Sequence, residues 1–265
     1  MYGQLFVGAA VLAISSLFPT ATGTSAARAA DIRLFYAGAL QPAFLELLPK
    51  FEQSSGHKVT ATYGPAGALT DRIEKGDVPD VAIVSGPQID QLEKAGKVAT
   101  SSRVDIGKVG IGAVIRKWAA RPDISSVDAF KRSMLAAKSI GYPDPALGAA
   151  PSIYLTGLFG RLGIAAAMTP KTKLFSASPP TAGGPLYEGV ASGAVDIGFN
   201  QISEVVIQPN VDFIGPLPPE IQGYTLFVAG RGASSKEVSA GQALIIYLTS
   251  ATTQDFLKSK GFEGR

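Results

Sequence analysis

Two short runs of small residues carry the groups in this sequence that are best placed to do chemistry. Ala37-Gly38-Ala39-Leu40 follows an apolar run and precedes a long amphipathic segment, and Gly64-Pro65-Ala66-Gly67-Ala68 repeats the arrangement. A helix that begins with Ala and Gly leaves its first backbone N–H groups uncovered by side chains. Those donors and the helix dipole together favour an anion. Side by side, the two turns predict a cleft lined with backbone donors.

Each turn lies between a predicted strand and a predicted helix. The first follows an apolar strand at 32–36 and precedes a helix in which Phe44, Leu47 and Phe51 share one face, as the spacing of a buried helix face requires. The second lies within another strand-turn-helix unit at 58–75. Because parallel strands end at the same edge of a sheet, the two turns are expected to be neighbours.

Strand and helix patterns alternate from Asp31 to about Asn200, which is typical of an α/β protein with largely parallel sheets. The pattern breaks near Gly112 and again near Ile207. We therefore predict two α/β lobes with a ligand cleft between them, where helix amino termini converge. The predicted boundaries are 31–112 plus 208–265 for lobe 1 and 113–207 for lobe 2.

Composition excludes several classes of function. The 265 residues include 46% hydrophobic and 17% charged residues, so a sizeable core is expected. The net charge of +3 is too small to predict a nucleic-acid partner or a membrane surface. With no cysteine and one histidine, neither a thiolate site nor a histidine-rich metal site is expected, and no cofactor is predicted.

The amino terminus indicates export. From Leu5 to Phe18 the chain is apolar or small apart from two serines, and a stretch of small residues follows. We predict a signal peptide at 1–30, cleaved after Ala29 or Ala30, and a periplasmic mature protein. The apolar run, about fourteen residues long, is too short to cross a bilayer comfortably, although an uncleaved anchor stays an alternative.

A set of short sequence motifs, in their order and spacing, resembles the periplasmic molybdate-binding proteins of ABC importers, which have the type II solute-binding fold. The resemblance covers essentially all of 31–265. Its motifs are 35–40, 63–69, Arg72-Ile73, Pro79-Asp80-Val81 with Ser85, Asp144-Pro145, Ile153-Tyr154, Asp196-Ile197-Gly198 and Gly261-Phe262. The resemblance implies a monomer that carries a small anion, such as molybdate, to an ABC importer membrane permease. It implies a binding protein and not an enzyme.

The chain departs from this family at the positions that bind the ligand. The resemblance implies serine hydroxyls in the two turns, where this chain has Ala39 and Ala66 or Gly67. It also implies a backbone N–H donor where this chain has Pro151, which has no N–H, and a tyrosine where it has Gln201. Losing several neutral donors, at roughly 1 kcal/mol each, weakens the case for an oxyanion.

The predicted ligand-binding set therefore combines turn amides with polar side chains that both donate and accept. Its members are Ala39, Leu40, Ala66, Gly67, Ser85, Ser152, Gly183, Gln201 and Ser203. Such a site suits a molybdate-like oxyanion or, as the alternative, a small organic acid or polar solute.

No cluster of reactive side chains indicates catalysis. Asp80 and Glu204 lie in otherwise apolar surroundings and are candidate functional acids, but we favour their interpretation as caps or hinge partners. A binding protein is favoured because the export signal, the two lobes and the donor-lined turns agree. A secreted enzyme or an accessory protein on the same fold stays an alternative, and catalytic turnover would distinguish the enzyme.

Overall fold

The structure is a computed structural model that describes residues 1–3, 29–176 and 184–264. Most of the predicted signal peptide and Gly183 lie outside these described residues. Within them, no helix is long and apolar enough to span a bilayer.

The described residues contain nine strands. They are β1 Asp31–Ala37, β2 Lys58–Gly64, β3 Val81–Ser85, β4 Val104–Arg116, β5 Ile140–Pro143, β6 Thr172–Phe175, β7 Ile197–Gln201, β8 Val211–Pro216 and β9 Tyr224–Arg231.

Ten α-helices lie between and after the strands. They are α1 Gln41–Ser55, α2 Ala66–Glu74, α3 Gly86–Lys94, α4 Val127–Ala136, α5 Ala150–Arg161, α6 Ala165–Met168, α7 Pro185–Ala191, α8 Ile202–Val205, α9 Val238–Thr249 and α10 Ala251–Ser259, all within the described residues. The predicted α/β class is confirmed.

The first half of the sheet is built around β1. Ile32 and Leu34 are fully buried, and Phe35, Tyr36 and Ala37 are at most 3% exposed, so the strand is covered on both faces. The continuous apolar run from Leu34 to Ala37 is typical of a parallel strand between helices. β1 pairs in parallel with β2 on one side and β3 on the other, and β9 pairs antiparallel with β3.

The long strand β4 connects the two halves. Its residues from Val104 to Gly110 pair with β9, and those from Ile111 to Ile115 pair with β7. The sheet order is therefore β2-β1-β3-β9-β4-β7-β5-β6, with β8 paired to β4 beside this path. In the second half, β5 pairs in parallel with both β6 and β7.

The buried side chains divide in the same way. One apolar cluster takes its residues from 32–109 and 227–262, while two others take theirs from 111–221. The predicted lobe boundaries stay a prediction. Because β8 and Leu217 pack with the second half, we propose moving the return boundary from 207/208 to 222–226.

This topology brings strand ends together. The carboxyl ends of β1, β2 and β3 lie at one edge of the first half, because the three strands are parallel. The carboxyl ends of β5, β6 and β7 lie together in the second half for the same reason. Residues at or next to all six ends line one cleft.

Candidate functional site

The cleft is a cavity of about 870 Å³, a volume that includes the part open to solvent. Its walls differ in chemistry. We call the turn residues 37–39 and 64–66 the first rim. We call the side chains of Tyr187, Asn200, Gln201 and Glu204 the second rim. Both sets line the cavity.

The first rim consists of uncapped helix starts. A single 3-10 turn, Gly38–Leu40, leads into α1. No side chain caps the start of this turn, at Ala37, and none caps the start of α2, at Pro65. The first N–H groups of such helices have no acceptor within the helix. The rim can therefore donate backbone hydrogen bonds to an anion, as the sequence predicts.

Ser85, also on the cleft wall, has its donors engaged. Its backbone N–H donates to Gln88 Oε1 at 3.2 Å, and its hydroxyl donates to the same oxygen at 2.5 Å. Gln88 is the third residue of α3, so the pair forms a cap of that helix. A ligand would meet Ser85 only as an acceptor in this arrangement.

The structure separates the predicted ligand-binding residues into two groups. Ala39, Ala66, Ser85 and Gln201 line the cavity, and so does Pro151, which offers no N–H.

The other described members lie away from the lining. Leu40, Ser152 and Ser203 are fully buried. A Cβ atom added to Gly67 would lie 2.8 Å from Gly148 Cα, so Gly67 faces the backbone of the other half of the molecule. The hydroxyls of Ser152 and Ser203 have no hydrogen-bond partner among the described residues.

Gln201 ends β7 on the cleft wall. Its Nε2 donates to Thr225 Oγ1 at 3.0 Å, and its Oε1 has no partner among the described residues. The side chain is 3% exposed, so this oxygen is a buried polar atom without a protein partner beside the cavity. Such an atom favours a ligand or a water in the cleft.

Glu204 on α8 presents a carboxyl group to the same cavity. Its Oε1 lies 3.7 Å from the position of a Cβ atom on Gly38, so it faces the first turn. Burial raises the pKa of Glu204 to about 7. Its side chain has no hydrogen bond or ion pair within the described part of the chain, and no described lining residue is Lys, Arg or His. Glu204 is therefore not a cap, one of the two roles favoured for it from the sequence, while its role as a hinge partner stays a prediction.

Asp80, the other acid noted in the sequence, has a structural role. Its Oδ2 accepts from the backbone N–H of Arg33 at 2.9 Å, and its Oδ1 accepts from Ser235 Oγ at 2.6 Å. It ties β1 to the segment after β9. The two acids, similar in sequence context, thus differ in whether their oxygens have protein donors.

Tyr187 and Asn200 complete the second rim, and sequence reasoning missed both. Asn200 Nδ2 donates to the hydroxyl oxygen of Tyr187 at 3.1 Å, and Asn200 Oδ1 accepts from the N–H of Gln201 at 2.9 Å. An Asn-Gln pair at the end of a buried strand was the available signal for Asn200. No signal in the sequence indicated Tyr187, because its place in the cleft depends on how α7 packs.

The arrangement has the parts of an acid–base site. A carboxyl group with a pKa near neutrality faces a cavity whose opposite wall donates backbone N–H groups. A group that changes its protonation near the working pH can both take and return a proton. In the described residues, no group of three or more acidic or histidine side chains could hold a metal ion.

Comparison with known proteins gives a family and two kinds of relative. The family model of bacterial extracellular solute-binding proteins matches residues 32–263. An aconitate isomerase of a Pseudomonas species is 30% identical over 259 residues, which is 95% of each chain.

Molybdate-binding proteins are also similar. The molybdate-binding protein ModA of Azotobacter vinelandii is 24% identical over 250 residues, 89% of this chain and 91% of that protein. The solved periplasmic molybdate-binding protein of the same organism superposes with a TM-score of 0.71 at 17% identity, over 88% of this chain and 99% of the other. The resemblance to this group and the two-lobed fold are confirmed.

One prediction from the sequence is wrong. The chain was expected not to be an enzyme, but a relative that it matches over 95% of its length bears an enzyme's name. Clusters of reactive side chains are the sequence signal of many catalytic sites, and an enzyme that uses a single carboxyl group lacks that signal.

Proposed function

The chain belongs to the bacterial extracellular solute-binding proteins, and we propose that this member isomerises an unsaturated tricarboxylic acid, aconitate, in the cleft between its lobes. The family is that of ABC-importer solute-binding proteins, which act in the periplasm or outside the cell. The proposal takes its substrate from the aconitate isomerase relative and its acid–base group from the cleft.

The observation that supports catalysis most strongly is the state of Glu204. A carboxyl group with a pKa of about 7 is half ionised at neutral pH, so it accepts a proton and returns it with similar ease. It has no protein partner among the described residues that would hold its oxygens. A carboxyl group that served only the fold would be expected to have donors, as Asp80 has.

The isomerisation of aconitate requires only one group that accepts a proton and returns it. Aconitate carries a CH2 group next to a C=C bond that is conjugated with carboxylates. The Glu204 carboxylate takes a proton from the CH2 carbon, and the C–H electron pair forms a new C=C bond to the central carbon. The electrons of the old C=C bond move onto the conjugated carboxylate.

The return step completes the isomerisation. The protonated Glu204 gives its proton to the carbon that was vinylic, which becomes the new CH2 group. The carbon skeleton is symmetric about the central carbon, so the product is again aconitate, and the conformation held in the cleft decides whether it is cis or trans. One C–H bond breaks and one forms, with no oxidation or reduction.

The first rim supplies what the intermediate needs. Negative charge grows on a carboxylate during the first step, and N–H donors fixed in advance stabilise such charge most effectively. The turns at 37–39 and 64–66 offer these donors at helix starts. The described lining has no basic side chain, so we infer that backbone dipoles and hydrogen bonds balance the charge of the substrate.

A carrier of a molybdate-like oxyanion is the second candidate. The uncovered amides at Ala39 and Ala66 favour it, and so does the similarity to molybdate-binding proteins. The wall offers few hydroxyl donors, however, because the turns contain alanine and the donor of Ser85 is engaged with Gln88. Solute-binding proteins of this family deliver their ligand to a membrane permease, and we expect the same for either anion. An isomerase can also have a permease as its partner.

The test is a turnover assay on the purified protein. It is incubated with trans-aconitate, and the cis and trans isomers are separated by chromatography; isomerisation is expected. Glu204→Gln is expected to lose turnover on the order of a thousandfold, since it cannot move the proton. Glu188→Gln, an exposed acid on α7, is the matched control and should retain full activity.

Three outcomes would contradict the proposal. Binding of aconitate in calorimetry without turnover would leave a carrier of organic acids and no isomerase. Molybdate binding at micromolar or lower concentration, with no response to aconitate, would favour the second candidate. Full activity in Glu204→Gln would remove Glu204 from the chemistry.

A further inference from the structure

The hydroxyl group of Tyr187 has its hydrogen-bonding direction fixed by its neighbours. Asn200 lies between Tyr187 and the backbone of Gln201, and its side-chain oxygen accepts from the Gln201 N–H at 2.9 Å. A flipped amide would set its NH2 group against that N–H, two donors facing each other. The orientation of Asn200 is therefore determined, and its NH2 group must face Tyr187.

This orientation makes the Tyr187 oxygen an acceptor. Asn200 Nδ2 donates to it at 3.1 Å. The phenolic proton is then left for another acceptor, and no described residue provides one. The O–H of a buried tyrosine usually has a hydrogen-bond partner, and Tyr187 is only 6% exposed, at the wall of the cavity.

Tyr187 also lies close enough to Glu204 for their charges to interact. Burial first, and the charge of Glu204 second, raise the pKa of Tyr187 well above its ordinary value. The phenol therefore keeps its proton at any pH at which the protein functions. It serves as a hydrogen-bond donor and not as a second base.

We propose that Tyr187 donates its phenolic hydrogen bond to the substrate oxygen that gains negative charge when Glu204 removes the proton, and that Asn200 is the positioning residue that aims this donor. The inference rests on the proposed isomerase function and assigns the electrophilic half of the site. The base and the donor then come from the same rim, while the first rim binds the rest of the anion.

The test compares two substitutions that remove the donor in different ways. Tyr187→Phe deletes the hydroxyl group. Asn200→Asp keeps the shape and still accepts from Gln201, but it presents an oxygen to Tyr187, so the phenolic proton turns toward Asp and away from the substrate. Tyr142→Phe, a buried tyrosine of β5 that does not line the cavity, is the control.

Turnover is measured at the plateau of each variant's own pH profile, so that a changed pKa of Glu204 is recorded separately. Tyr187→Phe and Asn200→Asp are each expected to lower kcat on the order of a hundredfold, with KM changed little, since the donor acts on charge that develops during the reaction. The double variant should be no worse than either single variant, and Tyr142→Phe should match the wild type.

The outcomes are distinguishable from failure of the isomerase itself. If Tyr187→Phe keeps kcat within about twofold of a wild type that does isomerise aconitate, the inference is wrong and the proposed function stands. An equal loss in Tyr142→Phe would show a general effect of removing phenols and would also contradict it. If the wild type binds aconitate without turnover, the proposed function is wrong and this inference fails with it, whereas a kcat near the wild-type value in Tyr187→Phe overturns the inference alone.

Discussion

The two rims of the cleft consist of different chemical groups, backbone in the first rim and side chains in the second. The first rim offers backbone groups from Gly, Ala and Pro and almost no reactive side chain. The second rim offers a carboxyl group, a phenol and two amides, set on β7, α7 and α8. Backbone N–H groups can bind an anion, while moving a proton requires a side chain such as the carboxyl group of Glu204. A similar first rim therefore indicates a similar fold and leaves the chemistry to the second.

The largest expected effect that would sharpen this comparison is the pH dependence of kcat/KM. The proposed base acts in its ionised form, and burial raises the pKa of Glu204 to about 7. Activity should therefore fall as pH drops below that value, approaching about tenfold per pH unit, or about fiftyfold from pH 7 to pH 5. A profile that is flat over this range in steady-state assays would place the reactive group elsewhere.

A second prediction compares Glu204 and Asp80 by their effects on stability. The folded-state pKa of Glu204 lies above its ordinary value of 4.5, so folding favours the protonated form. The cost of ionising it is absent below about pH 4.5 and fully developed above about pH 7. Glu204→Gln should therefore raise the free energy of unfolding by about 1 to 3 kcal/mol at pH 8 and change it little at pH 4.

Asp80→Asn is the matched change at the acid with a structural role. It sets an NH2 group against one of the two donors that Asp80 accepts from, and should lower the free energy of unfolding by about 1 to 3 kcal/mol. Urea unfolding at pH 8 and at pH 4 measures the free energy of unfolding of both variants. Destabilisation by Glu204→Gln at pH 8 would mean that the carboxylate supports the fold and does not serve the cleft.

How much of this contrast could be predicted from the sequence depends on the range of the interactions involved. The strand-turn-helix units of the first rim are local, and their apolar spacing predicts β1, β2 and the buried face of α1 with Phe44, Leu47 and Phe51. The small residues at the turns are visible in the same stretch. Fold class and first rim followed from patterns only a few residues long.

Apart from Gln201, the second rim could not be predicted because it depends on long-range register. Glu204 reaches the cleft because β4 leaves β9 at Gly110 and pairs with β7 from Ile111 onward, which sets α8 beside the first turn. The same register hides Ser152 and Ser203, two predicted ligand residues whose hydroxyl groups are fully buried. A polar residue near a strand end can face either the cleft or the protein interior, and the spacing of residues in the sequence does not distinguish these two orientations.

A third prediction concerns the contact between the two halves across the cleft. Gly67 on α2 meets Gly148 at the end of a 3-10 turn in the other half, and a Cβ on Gly67 would also lie 3.1 Å from the carbonyl oxygen of Leu147. Gly67→Ala should hold the rims apart and weaken aconitate binding about tenfold, while the free energy of unfolding is maintained.

Gly160→Ala on α5 is its control, since an added Cβ there meets no atom within 4 Å. Calorimetric titration of aconitate into both variants measures the difference. If the two variants bind equally well, the glycine contact has no part in closing the cleft.

A fourth prediction concerns side-chain donors added to the first rim, which would blur the contrast with the second rim. Ala39→Ser with Ala66→Ser restores hydroxyl groups to the two turns and should strengthen molybdate binding by about 1 kcal/mol for each group. Ala68→Ser, an exposed position on α2, is the matched control. Calorimetry that finds no gain in the double variant, or an equal gain in the control, would show that first-rim hydroxyl groups are not what the site lacks for molybdate.

The central claim is that one carboxyl group of the second rim moves a proton between two carbons of the substrate. It is tested most directly with trans-aconitate labelled with carbon-13 in its CH2 carbon and followed by NMR. Proton transfer between the two carbons exchanges their identities, so the wild type is expected to produce cis-aconitate with the label in the vinylic carbon, and Glu204→Gln is expected to produce almost none. Cis-aconitate that still carries the label in its CH2 carbon would contradict the account, because the double bond would have turned without moving.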